Sequence, residues 1–134
     1  VNNQSLTPRL LMAKAERACR SARALLDLGD SDGATNRAYY AMFDAARAAL
    51  LSTGMVDLNI GRTHSGLISA FGQHLVKQGK VSKDFGRLLN RAHEIRQIAD
   101  YNGESVELAE AKDIVEQAEP FVAVLKAKFG QQAD

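Results

Sequence analysis

Apolar residues recur along this chain at helical spacing, and no stretch shows sustained strand alternation. The first stripe, Leu11, Ala15, Ala18, Ala22, Leu25 and Leu26, follows Thr7-Pro8 and precedes Gly29. A threonine able to cap, a proline where its missing N–H costs nothing, and a closing glycine predict one helix between them. After an expected turn at Asp30-Ser31-Asp32-Gly33, a second helix runs from about Ala34 to Leu51. Its buried side carries Tyr39, Met42, Phe43, Ala46, Ala49 and Leu50, and Ser52-Thr53-Gly54 ends it. Met55 to Gly61 reads as the longest loop, with Asn59 and Gly61 available for unusual backbone angles.

Arg62 to Gln78 predicts a third helix carrying Leu67, Ile68, Phe71 and Leu75. Gly66 and Gly72 each weaken it by about 1 kcal/mol against alanine. Either they permit close helix contact or the helix breaks there. Beyond Gly79-Lys80 a fourth helix begins near Ser82, with Phe85, Leu88, Ala92, Ile95 and Ala99 on its packing side, and ends before Asn102-Gly103. Ser105 is a candidate cap for the last helix. Glu107 and Glu110 early in that helix, and Lys126 and Lys128 late, suit its dipole. Ile114, Ala118, Phe121, Val122, Leu125 and Phe129 form its stripe, and Pro120 among them predicts a kink or local interruption.

The pattern therefore predicts an all-α fold: an up-and-down four-helix bundle with an additional helix, or with one long helix divided by the weak glycines or Pro120. At 134 residues the chain is expected to form a single domain over 1–134, with its core at about 8–129. Gly29, Gly54 and Gly79 recur every 25 residues, but the segments between them share no signature, so the spacing reflects similar helix lengths. Hydrophobic residues make up 46% and charged residues 25%, an ordinary globular composition. A net charge of +1 neither demands nor excludes a nucleic-acid partner. Cys19 is the only cysteine, which rules out an internal disulfide and a cysteine-based zinc cluster, and it is expected to pack as a small apolar residue. Val1-Asn2-Asn3-Gln4 lacks a signal-peptide pattern and no apolar run approaches a membrane span. A cytoplasmic, membrane-free protein is the expectation.

Three polar groups stand out. Asn36, Tyr40, Phe43 and Arg47 share one side of the second helix, with Arg37 beside them, while Tyr39 joins the main apolar stripe. Asn36 is also able to serve merely as a cap, and both tyrosines as core or edge residues whose hydroxyls find a polar partner. Arg62-Thr63-His64 places a histidine at a predicted helix start, where it suits anion binding, proton transfer or plain packing. Arg96 and Asp100 are four apart on the fourth helix, with Gln97 between them and Tyr101 alongside. An arginine next to Ile95 and Ala99 must reach outward or meet a carboxylate, and Asp100 is the local candidate. If exposed, that pair contributes a few tenths of a kcal/mol; if buried, losing one member costs about 3–5 kcal/mol. His74 and His93 form no evident metal partnership with His64, and no metal site or cofactor is expected.

These residues suit anion recognition more readily than efficient cleavage. Arg96 is fitted to hold a phosphate, whereas a phenol such as Tyr101, with an ordinary pKa of about 10, is a poor general base at neutral pH. The remaining candidates for a base are His64, brought in from another helix, and Asp100.

Together and in order, Asn36-Arg37-Ala38-Tyr39-Tyr40-Ala41-Met42-Phe43, Thr63-His64-Ser65-Gly66 and the segment Arg96 to Tyr101 resemble the HEPN superfamily. Within it they resemble a small branch with a closing Arg-x-x-Ala-Asp-Tyr segment. The resemblance spans roughly Pro8 to Phe129 and implies a HEPN-like helical bundle, a homodimer, and a minimal nucleotidyltransferase as partner. Many such proteins are metal-independent ribonucleases or ribonuclease toxins with an arginine, often followed by a polar residue, upstream of a histidine on one late helix. Arg96 and Gln97 match the start of that signature, but Tyr101 stands where the histidine is expected. Two readings follow. In one, an RNA-cleaving or RNA-binding protein of a toxin–antitoxin-like system uses Arg96, Asp100 and Tyr101 as catalytic residues, with Asn36, Arg37, Tyr40, His64 and Gln97 in binding roles. In the other, a non-enzymatic helical partner of the nucleotidyltransferase uses the same residues structurally, with Tyr101 a candidate for adenylylation. A third possibility is a helical homodimer whose ligand is unrelated to either.

Overall fold

The computed structural model describes residues 7–55, 62–101 and 103–130. These fold into five α-helices: α1 (Pro8–Asp27), α2 (Ser31–Ser52), α3 (His64–Phe71), α4 (Lys83–Tyr101) and α5 (Leu108–Phe129). Among the described residues there is no strand, so the fold is an all-α helical bundle with an extra helix. The expected loop residues Asn59 and Gly61, together with Val1-Asn2-Asn3-Gln4 and Asn102, lie outside the described residues.

Several helix ends follow the sequence signals directly. Thr7 caps α1 by accepting the Leu10 N–H at 3.1 Å, with Pro8 as the first helical residue. Gly29 then turns the chain at φ 82°, a left-handed angle that a side chain would strain. The second helix begins earlier than expected, at Ser31. The Asp30 carboxylate accepts the Gly33 N–H at 2.9 Å, so the anticipated turn is in fact the capped first turn of α2.

The central helix is α2, which packs against α1, α3, α4 and α5. Beyond the expected positions it also buries Ala34, Thr35, Ala38, Ala41, Ala45 and Ala48. A helix apolar nearly all round belongs in the middle of a bundle. The expected stripe of α5 is buried throughout, as are Leu11, Ala15, Ala18 and Ala22 of α1. Cys19 is buried too, and burial followed by the nearby Glu119 and Glu16 pushes its thiol up to about 11.

Three expectations need correction. The third helix starts at His64, capped by Thr63, rather than at Arg62, and of the two roles left open for its glycines the break is the one seen, at Gly72, where it passes into one π-helical turn, Gly72–Val76. In that turn the Lys77 N–H reaches the Gly72 carbonyl at 2.9 Å. A Cβ on Gly66 would meet the Thr63 hydroxyl at 2.5 Å, so this glycine makes room for the cap rather than for another helix. Ser105 does not cap α5; Glu107 occupies that position without a side-chain hydrogen bond. Instead the Asp32 carboxylate accepts the Val106 N–H at 2.7 Å and pins the approach to α5 from the start of α2. Pro120 does not divide α5, which continues through it. Its position faces solvent, where the carbonyl it leaves without an amide can be hydrated.

No helix among the described residues is long and apolar enough to cross a membrane.

Candidate functional site

The second, third and fourth helices converge on one polar cluster. Its deepest member is Tyr39, fully buried on α2, whose hydroxyl lies 2.6 Å from Nδ1 of His64 at the start of α3. Thr63 sets that start by accepting the Gly66 N–H at 3.0 Å, which fixes where the imidazole enters the bundle. His93, on α4, stacks on His64 with ring centroids 5.3 Å apart and planes 17° apart. Tyr40 and Phe43 close the other sides of the His64 ring at centroid distances of 5.8 and 5.1 Å.

Arg96 lies across this aromatic group, one helical turn beyond His93. Its guanidinium carbon sits 5.5 Å from the Tyr39 ring centre and 5.2 Å from that of Tyr40. Its side chain is 13% exposed, and one nitrogen reaches Asp100 at 3.2 Å, whereas the Asp100 side chain is 37% exposed. The pair is thus lopsided: a nearly buried cation held by an acid that water still reaches. Asp100 can be rehydrated at little cost, which places the pair nearer the weak, exposed limit.

Burial, then the positive charge of Arg96, and then His93 hold His64 below the ordinary histidine value. His93 is lowered by burial and by Arg96, with Glu94 opposing. Both imidazoles are therefore neutral at pH 7. Burial keeps the Tyr39 phenol protonated well beyond its ordinary range. Nε of Arg96 and Nδ1 of His93 are buried with no hydrogen-bond partner. Buried polar atoms are normally satisfied, so two orphans in one cluster mark a place where an added acceptor or donor would be stabilised.

The structure brings together Tyr40, His64, Arg96 and Asp100 from the residues singled out in the sequence. Asn36 is half-buried one turn before Tyr40, on the same side of α2. Arg37 and Gln97 are exposed, and Tyr101 is 75% exposed, pointing away from the Arg96 face of α4. Sequence reasoning missed two members. His93 is one turn before Arg96, an i,i+3 relation that was available to read. Tyr39 is core by burial, and only its hydroxyl belongs to the site. Among the described residues no three or more His, Cys, Asp or Glu side chains are grouped to share a metal ion.

A helical bundle with a nearly buried arginine and two neutral imidazoles at one inter-helix junction is the class that fold and site define. The HEPN domain pattern matches residues 8–128, and the chain belongs to the HEPN domain family. It is 38% identical over 115 residues to a UPF0332 protein of Thermotoga maritima, covering 84% of this chain and 83% of that one. It is 41% identical over 93 residues to the UPF0332 protein glr0978 of Gloeobacter violaceus, covering 69% and 71%. A Methanocaldococcus jannaschii protein bearing the name "Putative toxin MJ0605" is 32% identical over 116 residues, covering 87% and 84%.

Proposed function

We propose that the chain is an RNA-directed protein of a toxin–antitoxin-like system that holds a phosphodiester on Arg96 and cleaves it without a metal ion. One observation carries this reading: a guanidinium with an unpartnered Nε shares a junction with a neutral imidazole. The guanidinium suits a phosphate oxygen, and the imidazole suits a proton. In the tautomer whose Nδ1–H donates to the Tyr39 oxygen, Nε2 of His64 is unprotonated and takes the proton from a ribose 2′-hydroxyl. That oxygen attacks phosphorus, the 5′-oxygen leaves, and it takes its proton from water or from the imidazolium formed on His64. Arg96 neutralises charge developing on the phosphate while Asp100 steadies the guanidinium. The name of the M. jannaschii relative supports a toxin-like role.

The test is cleavage of a labelled RNA oligonucleotide in the presence of EDTA. His64→Gln and Arg96→Ala proteins, shown folded by circular dichroism, are expected to lose about 100-fold or more in rate. Equal rates in wild type and both variants would sink the proposed site. A second reading is favoured by the exposure of Tyr101, which suits a phenol presented to a nucleotidyltransferase partner. A folded but inactive wild type whose Tyr101 gains a nucleotidyl mass with ATP and that partner would select it.

A further inference from the structure

On the neighbouring face of α4, away from the imidazoles, a groove of about 260 Å³ opens between this helix and the segment leading into α5. Ile95, Ile98 and Ala99 line it from α4, and Val106 lines it from the segment. Ile98 is 49% exposed. With Ile95, Ala99 and Val106 beside it, it forms a contiguous apolar floor inside a polar rim, the pattern of an interaction surface.

The rim is acidic: Glu104, Glu107 and Glu110. Glu110 lies 3.7 Å from Arg91, which is bound more closely to Asp113 at 2.9 Å. Among the described residues neither Glu104 nor Glu107 has an ion pair, so the rim keeps its negative charge. We infer that this groove is a docking site for a protein partner that seats an aliphatic side chain in it and sets lysine or arginine against the rim. Lining and charge select this occupant: four apolar side chains form the floor and three glutamates the rim. A second copy docking the same face against itself would oppose glutamate to glutamate, which electrostatic complementarity disfavours. The inference does not depend on RNA cleavage, because none of the imidazoles takes part in it.

The probe is a fluorescent amphipathic peptide of leucine and lysine, compared by anisotropy with a counterpart carrying glutamate for lysine. The lysine peptide is expected to bind and the glutamate peptide not. Ile98→Ser should weaken the lysine peptide by about tenfold or more. Glu104→Gln combined with Glu107→Gln should weaken it severalfold, an effect that shrinks at high salt. All three substituted residues are at the surface, and unchanged melting temperatures of both variants confirm that the fold persists. Equal binding of the two peptides, binding of neither, or indifference to Ile98→Ser would overturn the proposal. So would conversion of a dimer to a monomer by Ile98→Ser in light scattering, which would assign the groove to a second copy.

Discussion

The second helix and the stretch of α4 from His93 to Tyr101 are both regular helix, yet they handle polarity in opposite ways. α2 buries alanines on nearly every side, with Tyr39, Met42, Phe43 and Leu50 filling the spaces between its neighbours. α4 buries only Leu88, Leu89 and Ala92, all before His93. Beyond that point the helix carries partly shielded polar groups, two of them with unpartnered atoms. Cohesion and chemistry are thus assigned to different places, and the site stands where the well-packed core meets the helix that is poorly covered. Real proteins depart from full satisfaction at sites, and among the described residues two of the four unpartnered buried atoms fall in this one cluster, the others being Oγ1 of Thr35 and Nε of Arg47 on α2.

The strongest way to break this comparison is to damage each side and measure both stability and chemistry. Leu50 is fully buried, so Leu50→Ala should lower unfolding free energy by about 2–5 kcal/mol in urea titration. A loss below about 1 kcal/mol would mean that α2 is not the cohesive element.

Acid should expose the site side. His64 and His93 are both held below the ordinary 6.5 in the folded protein. The unfolded chain therefore binds more protons as pH falls through 6.5, while the folded site still resists them. Their contribution is complete above that value and is lost as pH drops toward and through the lower folded values. Melting temperature should fall between about pH 7.5 and pH 5, and fall less in a His64→Gln, His93→Gln double variant. An equal fall in both proteins would move the acid sensitivity elsewhere.

The smallest effect belongs to Asp100. With its carboxylate over one-third exposed, Asp100→Asn should change stability by no more than about 0.5 kcal/mol in the same urea titration. A loss of several kcal/mol would show that the Arg96 pair behaves as a buried one.

Local chemistry made the helix starts and stops at Thr7-Pro8 and Gly29 readable, because each signal acts on its own turn. The start of α2 was misplaced because Asp30, Ser31 and Asp32 suit a turn and a capped helix equally well. Ser105 was chosen as a cap for its residue type, while the decisive bond at that point comes from Asp32, 74 residues earlier. The same division holds for the site. Arg96 with Asp100 was legible as an i,i+4 pair on one helix. The Tyr39 hydroxyl on His64 and the stacking of His93 depend on how three helices pack, which no local spacing encodes. Tyr101 was set beside Arg96 because adjacency in sequence was read as adjacency in space, whereas consecutive helical residues diverge by about 100°; its exposure agrees instead with what the adenylylation reading requires.

The π-helical turn at Gly72–Val76 ends the third helix rather than interrupting it: beyond Lys77 the chain turns through Gly79 before α4 begins at Lys83. His64 opens α3 and His93 lies within α4, so this one connection joins the two imidazoles along the chain. The wide last turn, closed by the Lys77 N–H on the Gly72 carbonyl, sets where that connection starts. Shortening it by one residue should therefore disturb the stacking of His93 on His64 while leaving the contact between His64 and Tyr39 in place. A segment with no chemistry of its own thus acts as the spacer of the imidazole pair.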